Sequence, residues 1–249
     1  MIALRLAACL VLVLWTNTAL ARPPAGHVVT GTAPEVIDWT RGLVIARGAA
    51  SASPRAPSAA VARVGAERGA REAARARLRE RAGALVLADG RTVAAAVAAD
   101  ETARERLEAA LGTSRAVELR YGTDGSAIVL EAVPLEAVRV AVAGPTAPPA
   151  LSPDAPTAVI VDAPAGIETP VVGLTLATGA ARYQGPVVFY MSASAALKDA
   201  RLGARVLRAR AAGVRDGLLE VGGDGGLDEA EVTSLRDSGA LVVVVLPGS

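Results

Sequence analysis

Cysteine, histidine and aromatic residues are scarce in this chain of 249 residues, which holds one Cys, one His, two Trp, three Tyr and one Phe. Each shortage excludes some chemistry. Cys9 lies inside an N-terminal apolar segment of the kind removed on export, so the mature chain would have no disulfide, thiolate nucleophile or sulfur-ligated metal. His27 is the sole imidazole, so a Ser/His/Asp triad or a histidine-built metal site would have to use it. Its place near the start of the mature chain predicts local disorder instead. A net charge of +1 gives no basis for binding nucleic acid. The composition is 52% hydrophobic but only 2% aromatic, which predicts a core of Val, Leu, Ile and Ala with few large anchors.

Residues 1–21, MIALRLAACLVLVLWTNTALA, have the form of a signal peptide. Arg5 supplies the basic head, Leu6 to Trp15 the apolar run, and Ala19-Leu20-Ala21 the small-residue end. The run is too short to span a bilayer permanently. Cleavage after Ala21 would place the mature chain in the periplasm or at the outer membrane, with no transmembrane helix. An alternative takes LAAC, residues 6–9, as a lipoprotein box with Cys9 lipidated, but Cys9 precedes most of the apolar run instead of following it.

The mature length, about 230 residues, has room for two modest domains. GPTAPPALSPDAP, residues 144–156, is dense in proline and aperiodic, and reads as a semi-rigid linker. It divides a first domain, 22–143, from a C-terminal unit, 157–249. The expected fold class is α+β, with helices packed on an antiparallel sheet in the first domain, followed by a smaller α/β unit.

The first domain opens on VIDWTRGLVIARGAA, residues 36–50, where apolar and polar residues alternate on both sides of Arg41-Gly42 as in a hairpin or bent strand. Trp39 reads as a core anchor, with ligand stacking as the alternative. A Pro/Ser-rich loop leads to a helix over 63–85, rich in Ala, Arg and Glu. Ala74, Leu78 and Leu85 fall on one side, while Arg68, Arg71, Arg75 and Arg79 recur on another. Those arginines are a candidate interaction face for anions, headgroups or a partner. The alternative is a solvated face with Glu67–Arg71 and Arg68–Glu72 pairs. A second helix is expected over 100–112, then strands over 116–122 and 126–135 joined through Thr123-Asp124-Gly125.

In the C-terminal unit, Ala158 to Val161 reads as a buried strand and Leu241 to Leu246 as the last one. Asp228 with Glu231 marks a capped helix start, and Gly239 its stop. GGDGG, residues 222–226, lacks the lysine and spacing of a phosphate loop and the acidic series of a calcium loop, and reads as a turn. Asp162, Asp224 and Asp228 could serve carboxylate chemistry only if folding brought them together. No catalytic, cofactor-binding or metal-binding residue is assigned, and no cofactor is expected.

The order of IDWTRGLVIARGAA, RGAREAARARL, EAVPL, PTAVIVDAPAG and DEAEVTSLRDSGALVVVVL resembles the bacterial lipoprotein-20 family over most of the mature chain. The resemblance implies a non-enzymatic envelope protein, associated with the outer membrane and in the best-known cases with the flagellum. Its partners would be envelope or flagellar assembly proteins, or further copies of itself. Many family members carry a lipidated cysteine after the signal, whereas Arg22 stands there in this chain. Two rival expectations are a periplasmic glycan- or lipid-binding module and, less favoured, a carboxylate-based hydrolase.

Overall fold

The computed structural model describes residues 24–146, 154–164 and 167–247. The signal-like segment with Cys9, and most of the proline-rich linker, lie outside the described residues. The fold is mixed α+β.

The first stretch builds one antiparallel sheet. Its strands are β1 (Val29–Thr32), β2 (Glu35–Asp38), β3 (Leu43–Ala50), β4 (Arg115–Tyr121) and β5 (Ala127–Pro134), in the spatial order β1-β2-β3-β5-β4. The Arg41-Gly42 hairpin pairs Ile37 with Val44 and Asp38 with Leu43. The Asp124-Gly125 turn joins β4 to β5. Helix α1 (Ala59–Ala84) lies across β3 and β5 and starts ahead of residue 63 because the Ser58 hydroxyl caps it. Its buried stripe is Ala66, Ala70, Ala74, Leu78 and Ala82, at helical i,i+4 spacing. Side chains this small bring the helix backbone onto the sheet. A Cβ on Gly48 would lie 1.9 Å from the Ala70 carbonyl oxygen, so β3 needs glycine there. Helices α2 (Val93–Ala99), α3 (Glu101–Gly112) and α4 (Leu135–Ala143) complete this part.

The second stretch is laid out differently. Strands β6 (Ala158–Asp162), β9 (Val187–Tyr190), β10 (Val206–Arg210) and β13 (Leu241–Val245) form a parallel sheet in the order β10-β6-β13-β9. AVIV and LVVVV are continuous apolar runs because their strands are covered on both faces. Helix α5 (Ala193–Ala196) and a short 3-10 turn at Ala200–Leu202 cover Ile160, Val188 and Val243. Val159, Val161, Phe189, Val242 and Val244 enter the main core on the other face. A small sheet, β7 (Thr175–Thr178), β8 (Ala181–Tyr183), β11 (Gly213–Arg215) and β12 (Leu218–Glu220), has the order β11-β12-β7-β8. Helix α6 (Glu229–Ser238) begins with both bonds of an Asp228/Glu231 capping box and ends at the left-handed Gly239.

Hydrogen bonds join the two stretches. The β2–β3 loop lies along the free edge of β9, with Phe189 N–H donating to the Trp39 carbonyl at 3.2 Å. The Thr40 hydroxyl donates to the Phe189 carbonyl at 2.7 Å and accepts from Val28 N–H at 2.8 Å. Trp39, 5% exposed, meets the Phe189 ring edge-on at 5.8 Å, and its Nε1–H reaches Thr30 Oγ1. The expected disorder at His27 is not what the fold adopts. His27 bridges to Tyr190, its ring packs edge-on at 5.9 Å, and Met191 N–H donates to the Gly26 carbonyl. Residues 26–28 thus occupy an edge that would otherwise leave peptide groups unpaired. A second seam joins Val86 and Ala88 to Val172 through backbone bonds of 2.9 Å. One hydrophobic cluster contains residues of both stretches.

Thr40→Val keeps the shape but strands a buried N–H and a buried carbonyl. It should destabilise the protein by about 2–3 kcal/mol, and Thr40→Ser by less than about 1 kcal/mol. Urea unfolding followed by circular dichroism checks this, and equal midpoints for wild type and Thr40→Val would contradict it.

Candidate functional site

The arginine row on α1 does not present a uniform cationic face. Glu131, on β5, is fully buried and points at the helix. Burying a carboxylate is costly unless it is paired. Arg71 Nη1 reaches Glu131 Oε1 at 3.4 Å, Arg75 Nε reaches Oε2 at 3.2 Å, and Ser114 Oγ donates to Oε2 at 2.6 Å. Arg71 also holds Glu67 at 2.9 Å, the pair expected from the sequence. Arg79 grips Glu108 through two bonds of 2.6 Å, tying α1 to α3. Arg68 is exposed and forms no ion pair among the described residues, so the expected Arg68–Glu72 pair is not made. Three of the four arginines are therefore committed within the protein. Farther along the helix, Arg77 and Arg81 both hold Glu35 of β2.

Beside this helix lies a surface the sequence did not single out. Strand β4 is an edge of the five-stranded sheet, so one side of its backbone has no neighbouring strand. Val117, Leu119 and Tyr121 on β4 are exposed, as are Val61 and Val64 at the start of α1. The register slips between Ala116 and Glu118, leaving Val117 in the irregularity. Arg63 stacks 5.3 Å from the centre of the Tyr121 ring, and the Tyr121 hydroxyl donates to Glu67. These contacts orient an apolar strip along an open strand edge, an arrangement suited to β-strand addition. The signal for it was composition, since Val, Leu and Tyr on a terminal hairpin strand were read only as strand formers.

A groove of about 790 Å³ lies at the carboxyl end of β9, where parallel sheets commonly receive ligands. It contains the chain's only lysine, Lys198, and its only histidine, His27. The Tyr190 hydroxyl donates to Asp199 Oδ2 at 2.7 Å, and Arg201 clasps the same carboxylate while donating to the Thr40 carbonyl. Burial pushes the Asp199 carboxyl up, but hydrogen bonds from Arg201 and Tyr190 and the Arg201 charge outweigh it and hold the pKa at about 2. Burial, with the Asp199 bond and charge, pushes the Tyr190 phenol up to about 12. Lys198 makes no ion pair among the described residues.

Of the three nominated aspartates, only Asp228 has a structural task. Asp162 is exposed at the end of β6, Asp224 is exposed in the glycine-rich turn, and Asp228 is committed to capping α6. Among the described residues no group of three or more His, Cys, Asp or Glu side chains could hold a metal ion.

Two outcomes test this arrangement. Glu131→Ala should cost about 2–3 kcal/mol by removing the buried carboxylate that Arg71, Arg75 and Ser114 share, while Arg68→Ala should stay within about 0.5 kcal/mol of wild type. Denaturant titration separates them, and a large effect at Arg68 with none at Glu131 would invert the assignment. Because its folded pKa is depressed, Asp199 contributes stability above its unfolded pKa and loses it as pH falls toward about 2. Unfolding curves from pH 5 down should therefore show Asp199→Asn losing less stability than wild type, and parallel losses would contradict this.

No family model and no curated protein matches this chain.

Proposed function

We propose that this chain is a non-enzymatic, exported cell-envelope protein with a structural or assembly role at the outer membrane, the flagellar basal structure being the first machine to examine. The observation that carries this reading is the open β4 edge with its apolar strip of Val117, Leu119 and Tyr121. The signal-like N-terminus and the resemblance to the lipoprotein-20 family support it. Of the three aspartates nominated for carboxylate chemistry, Asp228 is committed to a helix cap. The partner is an envelope or flagellar assembly protein, or another copy of the chain, adding a strand to β4.

A second reading is a periplasmic module for a glycan or lipid. What favours it is the β9 groove, whose lining offers hydroxyls, an imidazole and an uncommitted ammonium.

Native co-purification of the mature protein from cross-linked envelopes discriminates between them. Recovery of outer-membrane machine components supports assembly, whereas recovery of the protein alone, free in the periplasm, supports the binding module. Val117→Lys, a charge of the kind that natural edge strands use to block pairing, should lower partner recovery about tenfold while leaving stability within about 0.5 kcal/mol. Undiminished recovery would remove β4 as the docking element.

A further inference from the structure

Helix α4 places a guanidinium where proteins rarely leave one. The Arg139 side chain is 3% exposed and lies on the buried side of the helix with Leu135 and Val138. Its Nε and Nη2 hold Glu136 at 2.8 and 2.6 Å. Its Nη1 is buried and has no hydrogen-bond partner among the described residues. An unmet donor on a buried charge is destabilising, and an apolar side chain of similar volume would avoid that cost. Glu136 is 39% exposed, so water weakens the compensation it can give. Buried polar groups without partners are rare enough in native proteins that each calls for a specific cause.

Arg139 also lines a cavity of about 290 Å³ that both stretches of the chain build together. Leu87 from the α1–α2 loop, Val142 from the end of α4, Val172 and Leu218 give it apolar walls, with Thr175 and Gln184 as neutral polar groups. The walls are fixed in place. The α1–α2 loop is bonded to Val172, and Gln184 Nε2 donates to the Gly173 carbonyl at 2.7 Å. The β11–β12 turn approaches so closely that a Cβ on Gly217, at φ +77, would lie 2.9 Å from the Ala88 carbonyl carbon. Around the lining, Arg91 is neutralised by Asp89 at 2.7 Å, and Asp216 adds a further negative charge. Those carboxylates disfavour a dianion such as phosphate. The volume, at the lower end of the range of about 300–1,000 Å³ usual for ligand sites, favours a small molecule.

We propose that this cavity binds a monocarboxylate on a short branched apolar stem, the carboxylate accepting from Arg139 and the stem lying against Leu87, Val142, Val172 and Leu218. Such a group could be a free acid or the C-terminus of a peptide ending in an apolar residue. In either case the ligand bridges the two stretches of the chain and stabilises their junction.

Calorimetric titration and thermal melting of the mature protein test this with isocaproate, isocaproamide, inorganic phosphate and the peptide N-acetyl-Ala-Leu. Isocaproate or the peptide should bind and raise the melting temperature, with the amide and phosphate each weaker by about tenfold or more. Tighter binding of the peptide identifies a chain terminus as the source, and tighter binding of isocaproate a free acid. Arg139→Met should abolish binding. Leu218→Trp, which fills the cavity and leaves the guanidinium in place, should do the same and keeps the test decisive if Arg139→Met fails to fold. The proposal is overturned if neither carboxylate binds at concentrations up to about 10 mM. Equal binding of the amide or phosphate, or binding retained by Leu218→Trp, would overturn it as well.

Discussion

The structure depends on the contact of the Trp39-Thr40 loop with β9. A parallel sheet has two free edges, and β9 would expose one of them if the first stretch did not lie along it. Thr40 uses one hydroxyl to satisfy peptide groups on both sides, Phe189 of β9 and Val28 of the N-terminal segment. In a chain with so few aromatic residues, Trp39 and Phe189 meet at this seam, where a ring pair adds about 0.5–1.5 kcal/mol beyond its buried area. The β9 groove is built across that seam, with Thr40 and Arg41 on one side and Tyr190 on the other, while the Arg139 cavity lies across the second seam, where Ala88 and Val172 meet.

Charge plays a different part here from the one its sequence pattern suggests. Arginines recurring along α1 look like a solvent-facing stripe, yet Arg71 and Arg75 turn toward Glu131 in the sheet. The helix can sit low enough for this because its contact stripe is mostly alanine. Small side chains bring the helix axis close, and the long arginine stems then span the remaining distance along the apolar surface. Cations that would repel one another on an isolated helix thereby become fasteners between helix and sheet.

How much of this was legible depended on side-chain size and sequence separation. The hairpins at Arg41-Gly42 and Asp124-Gly125, the α6 cap and the Ala158 and Leu241 strands were legible because turn chemistry, capping and apolar runs are local signals. The stripe of Ala66, Ala70 and Ala82 was not, since alanine serves both surface and core and leaves the hydrophobic pattern faint. Helix α4 was missed because LEAVRVAVA follows directly on Pro134, the last residue of strand β5. Glu131 and Arg139 were invisible as buried charges, because their burial is decided by partners far along the chain or by tertiary packing. The β9 groove unites residues near 27, 40 and 200, which no spacing rule connects, and His27 was assigned to disorder for want of its partner Tyr190.

The proposed assembly role is tested most directly by replacing Val117 with a photoreactive phenylalanine analogue in living cells. The same analogue at the exposed loop position Asp224 serves as the control. On irradiation, position 117 should yield a discrete adduct with an outer-membrane machine component or a second copy of the chain, and position 224 should not. No adduct at 117, or the same products from both positions, would contradict the account.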